Sequence, residues 1–196
     1  MADTVPGTRD RLLSAAETLL RTAPYDEVSV RAICAAAGAN PAAVHYHFGS
    51  KEALVAALLE ARLGPLWADR LAVAAGRGTI EDIVDAVLAP FVELAADPTG
   101  RLHLRLLARF VPGRRVTGFH GPWFRLDSWA DLLPGLDEAT GRRRWMLAFD
   151  LIIMRFGQAG AAERQLSPDM LATLRGFVVA GLTAPAAQPA SAGEIR

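Results

Sequence analysis

The chain has 196 residues, 21 Lys+Arg balanced by 21 Asp+Glu, and 52% hydrophobic residues. That length and apolar content suit one domain or two small ones with a substantial core, and exclude wholesale disorder. A formal charge of zero excludes a globally basic coat for nucleic acid, but not local binding, which depends on the charge of one face.

Helical periodicity dominates the sequence, and no sustained period-2 run or Asn-Gly hairpin signal interrupts it. Thr8 to Arg21 places Leu12, Leu13, Ala16, Leu19 and Leu20 at helical spacing, and Ala23-Pro24-Tyr25-Asp26 breaks it. Ser29 is placed to cap a short helix through Ala36, with Gly38 to end it. Asn40-Pro41 then predicts a new start, with asparagine as cap and proline at the first helical position. That second short helix runs to Phe48, where Gly49-Ser50 stops it and caps the next. From Lys51 an apolar set runs to about Leu63, and Gly64-Pro65 is expected to kink or end it as the boundary between two modules. Beyond it, helical stretches are expected at roughly Leu66–Ala75, Ile80–Ala96, Arg101–Val111, Trp123–Leu133, Glu138–Glu163 and Pro168–Leu182. The tail, residues 184–196, rich in Ala, Pro, Ser and Gly, is expected to be disordered. The fold class is all-α, with an N-terminal helical module over residues 6–64 and a larger bundle over 65–183.

Residues 29–48 follow the helix-turn-helix plan, two short helices about a tight turn at Gly38. The second helix is poor in apolar residues and offers Asn40, Ala42, His45, Tyr46 and His47, which suit base edges and phosphates. The run TRDRLLSAAETLLRTAPYDEVSVRAICAAAGANPAAVHYHFGSKEALVAALL resembles the N-terminal domain of the TetR/AcrR family of bacterial transcriptional regulators. Its most specific pieces are Val30-Arg31-Ala32-Ile33, Ala37-Gly38 and Tyr46-His47-Phe48-Gly49-Ser50-Lys51-Glu52-Ala53-Leu54. The resemblance implies that Asn40 to Tyr46 enters the major groove of an operator, with Ala42, Ala43, His45 and Tyr46 nearest the DNA. It implies phosphate contacts from Tyr46 and Lys51, and backbone approach by Thr8, Arg9 and Arg31. It also implies a homodimer on a palindrome, its two recognition helices about 34–36 Å apart. Residues 1–64 hold six basic and seven acidic side chains, so affinity is expected from a few placed cations and the salt dependence should be modest.

Catalysis and metal binding are not expected, and neither is a cofactor. His45 and His47 lie about 200° apart on a helix, which prevents joint chelation. His103 and His120 are isolated, and no His-Glu-x-x-His, phosphate-binding glycine loop or nucleophile elbow occurs. Cys34, the only cysteine, excludes a disulfide framework and is read as a small packing residue. The N-terminal MADTVPGTRDR lacks the order of a signal peptide, and the apolar stretch Trp145–Met154 is too short to span a bilayer. A cytoplasmic protein with no membrane partner is expected.

In the C-terminal half, Trp145 to Phe156 carries apolar residues around nearly the whole helix circumference, as a helix buried from more than one side would. With the resemblance, this assigns Trp145, Ile152, Leu174, Phe177 and Val178 to a dimer interface. Arg101, Arg105 and Arg109 recur every four residues, and no acidic residue occurs between Thr99 and Leu126. A small-molecule effector is therefore expected, anchored by His103, Arg105 or Arg109 and walled by Trp123, Phe149 and Phe156. The expected function is a ligand-responsive repressor released from its operator. The alternative is a helix-turn-helix protein without an effector, controlled by a protein partner or by abundance.

Overall fold

A computed structural model describes residues 7–77, 79–111, 119–120, 126–133 and 136–185, with backbone alone at 69, 71–77 and 128. Among them all regular structure is helical: α1 Thr8–Thr22, α2 Val30–Ala36, α3 Ala43–Phe48, α4 Lys51–Arg77, α5 Ile80–Ala95, α6 Pro98–Phe110, α7 Asp127–Ala130, α8 Glu138–Ala161 and α9 Pro168–Thr183.

Local chemistry sets most of these ends. Ser29 caps α2 by accepting from the Ala32 N–H at 3.0 Å. The helix closes in a Schellman arrangement, Ala39 N–H to Cys34 O at 2.9 Å and Gly38 N–H to Ala35 O at 3.1 Å. Gly38 takes the left-handed conformation this requires, at φ 58°. Ser50 caps α4 through Ala53 N–H, Asp137 caps α8 through Thr140 N–H, and Ser167 caps α9 through Met170 N–H. Thr79 and Asp82 form a reciprocal capping box at α5.

Three expected boundaries differ. Asn40 does cap, its Oδ1 accepting from Ala42 N–H at 2.8 Å, but Pro41 and Ala42 form a turn and α3 begins at Ala43. The helix expected from Arg101 begins earlier, at Pro98, because the Asp97 carboxylate caps it by accepting from both Thr99 and Gly100 N–H. Gly64-Pro65 neither ends nor divides α4, which runs through it. An interior proline costs about 3 kcal/mol. Leu63 and Trp67, one turn apart on the inner face, are both buried, and each contributes about 1.5–3 kcal/mol. Trp67 also donates its indole N–H to Val87 O at 3.0 Å, tying the second half of α4 to α5. Pro65 itself lies on the exposed side.

α1, α2, α3 and the first half of α4 enclose a small core of Leu12, Leu13, Leu20, Val28, Ile33, Val44, Leu54 and Leu58. That core continues without a break into an aromatic part, where Phe91 packs against Trp67 and Phe156, and Trp145 against Trp129 and Phe149. α6 and α8 approach closely enough that a Cβ at Gly157 would lie 2.2 Å from the Ala108 Cβ. Gly160 sits against the Arg101 carbonyl in the same seam.

The residues expected at a dimer interface divide. Trp145, Ile152, Leu174 and Val178 are buried within the single chain, Trp145 completely. Only Phe177, 70% exposed, faces outward. Four of the five residues expected there are thus turned into the chain's own core, and Phe177 alone of them remains exposed. Large apolar side chains standing outside on α8 and α9 are Leu147, Met154, Met170 and Phe177, spaced seven apart on each helix.

Candidate nucleic-acid interface

α3 presents a polar and aromatic outer face because only Ala43 and Val44 are turned inward. Tyr46 is 85% exposed and meets the His47 ring edge-on at 5.0 Å. Ala42, His45 and His47 are exposed as well. His45 is partly occupied, its Nδ1–H donating to Gly49 O at 2.9 Å across the end of the helix. Ala43 is a correction: at 8% exposure it belongs to the core and is not available to DNA. It packs inward because the turn at Pro41-Ala42 delays the start of α3. Asn40 is exposed but spends its carbonyl oxygen on the cap.

The flanking cations are placed unevenly. The Arg9 guanidinium lies 5.3 Å over the Phe48 ring, which sets the start of α1 beside the end of α3. Thr8 accepts from the Arg11 guanidinium, and Arg31 is exposed on α2. Lys51 departs from expectation. Its Nζ donates to Tyr25 O and Val28 O, both at 2.9 Å, and lies 3.9 Å from the centre of the Tyr25 ring. The lysine expected on a phosphate is thus largely engaged inside the protein, bracing the α1–α2 loop against α4.

The residues expected around an effector do not come together. His103 is 4% exposed and its Nε2 lies 2.7 Å from Glu17 Oε1 on α1. Arg109 reaches the other way, donating to Asp26 at 2.7 Å with its guanidinium 4.7 Å from the Tyr25 ring. Phe156 is sealed in the core beside Phe91, and Phe149 stacks with Trp145. Arg105 is half-buried on α6. Trp123 lies outside the described residues. The arginines share a helix face as their spacing required, but toward Arg109 that face meets the N-terminal module and solvent. Leu102, Leu106 and Phe110 took the inward positions instead.

Glu17 is a residue that sequence reasoning missed. It accepts from Arg62 on α4 through Nε and Nη2, at 3.1 and 2.9 Å to Oε2, while meeting His103 of α6. Burial alone would raise its carboxyl, but the bonds from Arg62 and His103 outweigh that and hold it below the usual 4.5. Burial pushes the His103 ring below its usual 6.5, against the opposing pull of Glu17. A neutral ring then donates Nε2–H to the carboxylate. The unfolded chain takes up both protons at higher pH than the folded one, so this stability is complete above about pH 6.5 and is lost on acidification. The melting temperature should fall as pH drops below 6.5, and His103→Gln should flatten that fall. An equally steep profile in the variant would place the titration elsewhere.

The family model described as "Bacterial regulatory proteins, tetR family" matches residues 12–58, which span α1 through the first part of α4. Over those residues the chain resembles bacterial regulatory proteins of the tetR family. Two solved structures share its fold over most of its length. NalD, the secondary repressor of the MexAB-OprM multidrug efflux pump in Pseudomonas aeruginosa, is 21% identical with a TM-score of 0.59, covering 89% of this chain and 96% of its own. A TetR transcriptional regulator from Legionella pneumophila is 18% identical with a TM-score of 0.54, covering 89% and 97%. No curated protein matches the chain. Among the described residues, no helix is long and apolar enough to cross a membrane, and no cluster of three metal-ligating side chains occurs.

Proposed function

We propose that the chain works as a homodimer that reads a palindromic operator through α3 and represses until a small molecule binds the C-terminal module, residues 65–183. The observation that carries the DNA reading is the outer face of α3, where Tyr46 stands almost fully in solvent within a six-residue helix whose inner side is fixed by Ala43 and Val44. A tyrosine of that exposure gains nothing from the fold, and its hydroxyl and ring suit a phosphate or a thymine methyl. Dimerisation is supported by Leu147, Met154, Met170 and Phe177, four large apolar side chains on α8 and α9 whose exposure in the single chain a partner copy would relieve. Repression follows the direction of NalD, named as a repressor.

For the effector, support moves from the arginines to Trp145. This side chain is completely buried, and among the described residues its indole Nε1–H has no hydrogen-bond partner. A buried donor without an acceptor costs about 1–3 kcal/mol. It lies among Trp129 and Phe149, with ring centres 5.3 and 5.4 Å away. An aromatic ligand carrying one acceptor atom would meet both needs there. A thermal-shift screen of such compounds, read together with Trp145→Phe, tests it. A stabilising compound whose effect survives in Trp145→Phe would exclude the indole as anchor, and no stabilising compound at all would favour a regulator without an effector.

The DNA reading is tested by selecting duplexes from random sequence with the full-length protein and measuring their affinity by fluorescence anisotropy. The enriched site should be palindromic and Tyr46→Ala should weaken it by about 1–3 kcal/mol, the range of one charge-assisted contact. Sedimentation without DNA should give twice the chain mass of 20.9 kDa. Failure to enrich any duplex, or unchanged affinity in Tyr46→Ala, would overturn the assignment of α3.

A further inference from the structure

Tyr25 lies in the loop between α1 and α2, outside every helix, yet residues of three segments converge on it. Its hydroxyl donates to Glu52 Oε1 at 2.8 Å, at the start of α4. Its backbone carbonyl accepts from the Lys51 ammonium, which also lies 3.9 Å from its ring centre. From α6, the Arg109 guanidinium lies 4.7 Å from the same ring and Phe110 meets it edge-on at 4.9 Å. Asp26, the next residue, accepts from Arg109. The group is balanced, two cations against the carboxylates of Asp26 and Glu52, and the aromatic ring is its common member. Without Tyr25 the Arg109–Asp26 pair would be an exposed ion pair of little worth. With it, the C-terminal end of α6 is held to the first residue of α4, which immediately follows the α3 turn.

We propose that Tyr25 is a positioning residue through which α6 sets the placement of Lys51 and the α3–α4 surface. The proposal rests on reading that surface as the DNA-facing one, and it adds the route by which the C-terminal module acts on it. α6 is itself fixed to α8 by the Gly157–Ala108 contact, so a displacement in the bundle would reach Arg109 before it reached any residue of α3. The chemistry required at position 25 is a flat ring that two cations can share. Phenylalanine would preserve that and lose only the bond to Glu52, whereas leucine would keep the bulk and lose the shared ring.

The test uses the full-length protein and has one arm without DNA. Amide hydrogen exchange should quicken at residues 24–28 and 51–55 in Arg109→Leu and Tyr25→Leu, and stay near wild type in Arg109→Lys and Tyr25→Phe. Unchanged exchange in Arg109→Leu would overturn the proposal, whether or not the protein binds DNA. On a duplex selected with the wild-type protein, Tyr25→Leu and Arg109→Leu should each lose about 5- to 30-fold in affinity, within the range of a single coupling. The slope of affinity against salt should stay constant in Arg109→Leu, since a residue that touches no phosphate releases no counterion. Tyr25→Leu and Lys51→Ala should be strongly non-additive when combined, because one acts through the other. Additive losses, or a reduced salt slope in Arg109→Leu, would likewise reject the positioning role. A wild-type protein that enriches no duplex would count against the proposed function alone, with the exchange arm still deciding the role of Tyr25.

Discussion

Phe177→Glu should convert the proposed dimer into monomers of 20.9 kDa in sedimentation and abolish the proposed operator binding at nanomolar protein. Phe177 is 70% exposed in the single chain, so its replacement removes nothing from the monomer core. In a two-fold interface the residue occurs twice, once from each copy. A central aromatic is commonly worth 2 kcal/mol or more, so two lost rings amount to roughly 4 kcal/mol, about a thousandfold in dissociation constant. The monomer should keep its helical circular dichroism. A variant that stays dimeric would remove Phe177 from the interface. A variant that unfolds would show that the side chain supports its own chain instead.

Gly157→Val should damage folding severely. The Cβ alone would overlap the Ala108 Cβ at 2.2 Å, and both atoms belong to packed helices that cannot swing aside individually. α6 and α8 would have to part along their contact, where Gly157 also faces the Leu104 carbonyl. Overpacking typically costs 1–3 kcal/mol, and a helix-to-helix clash this close should reach or exceed the upper end. Urea denaturation of Gly157→Val should show it as a lower midpoint. Gly176→Ala is the contrast: a Cβ there meets nothing within 4 Å, and alanine in a helix is favoured over glycine by about 0.5–1 kcal/mol. Equal stability of Gly157→Val and the wild type would mean that the seam is looser than its geometry.

The all-helical class and the positions of most helices were legible because caps and periodicity act locally. Ser29, Ser167 and Pro168 lie where their chemistry alone would place them. The helix-turn-helix was legible for the same reason, together with a motif that spans Tyr46 to Leu54. What was not legible depends on partners distant in sequence. Nothing near Lys51 announces that the carbonyls of Tyr25 and Val28 capture its ammonium. Nothing near His103 announces Glu17, 86 positions earlier. Spacing set Arg101, Arg105 and Arg109 on one face, but the choice of inward face belonged to Leu102, Leu106 and Phe110. The buried helices α8 and α9 were found correctly as elements, yet only tertiary packing could say that Trp145 fills the chain's own core while Phe177 does not.

The passage of α4 through Pro65 has a bearing on how this protein can be cut and recombined. A fragment ending at residue 64 would stop in the middle of a helix and deprive Leu63 of the neighbours that bury it. Trp67 would leave with the other piece, still hydrogen-bonded to Val87. Limited proteolysis should therefore spare residues 60–67, although a proline follows a glycine there. A chimera joining this helix-turn-helix half to another protein's body would do better with its junction just before α5, carrying all of α4 along. In this chain the shared helix, rather than a hinge, makes the two halves a single inheritable unit.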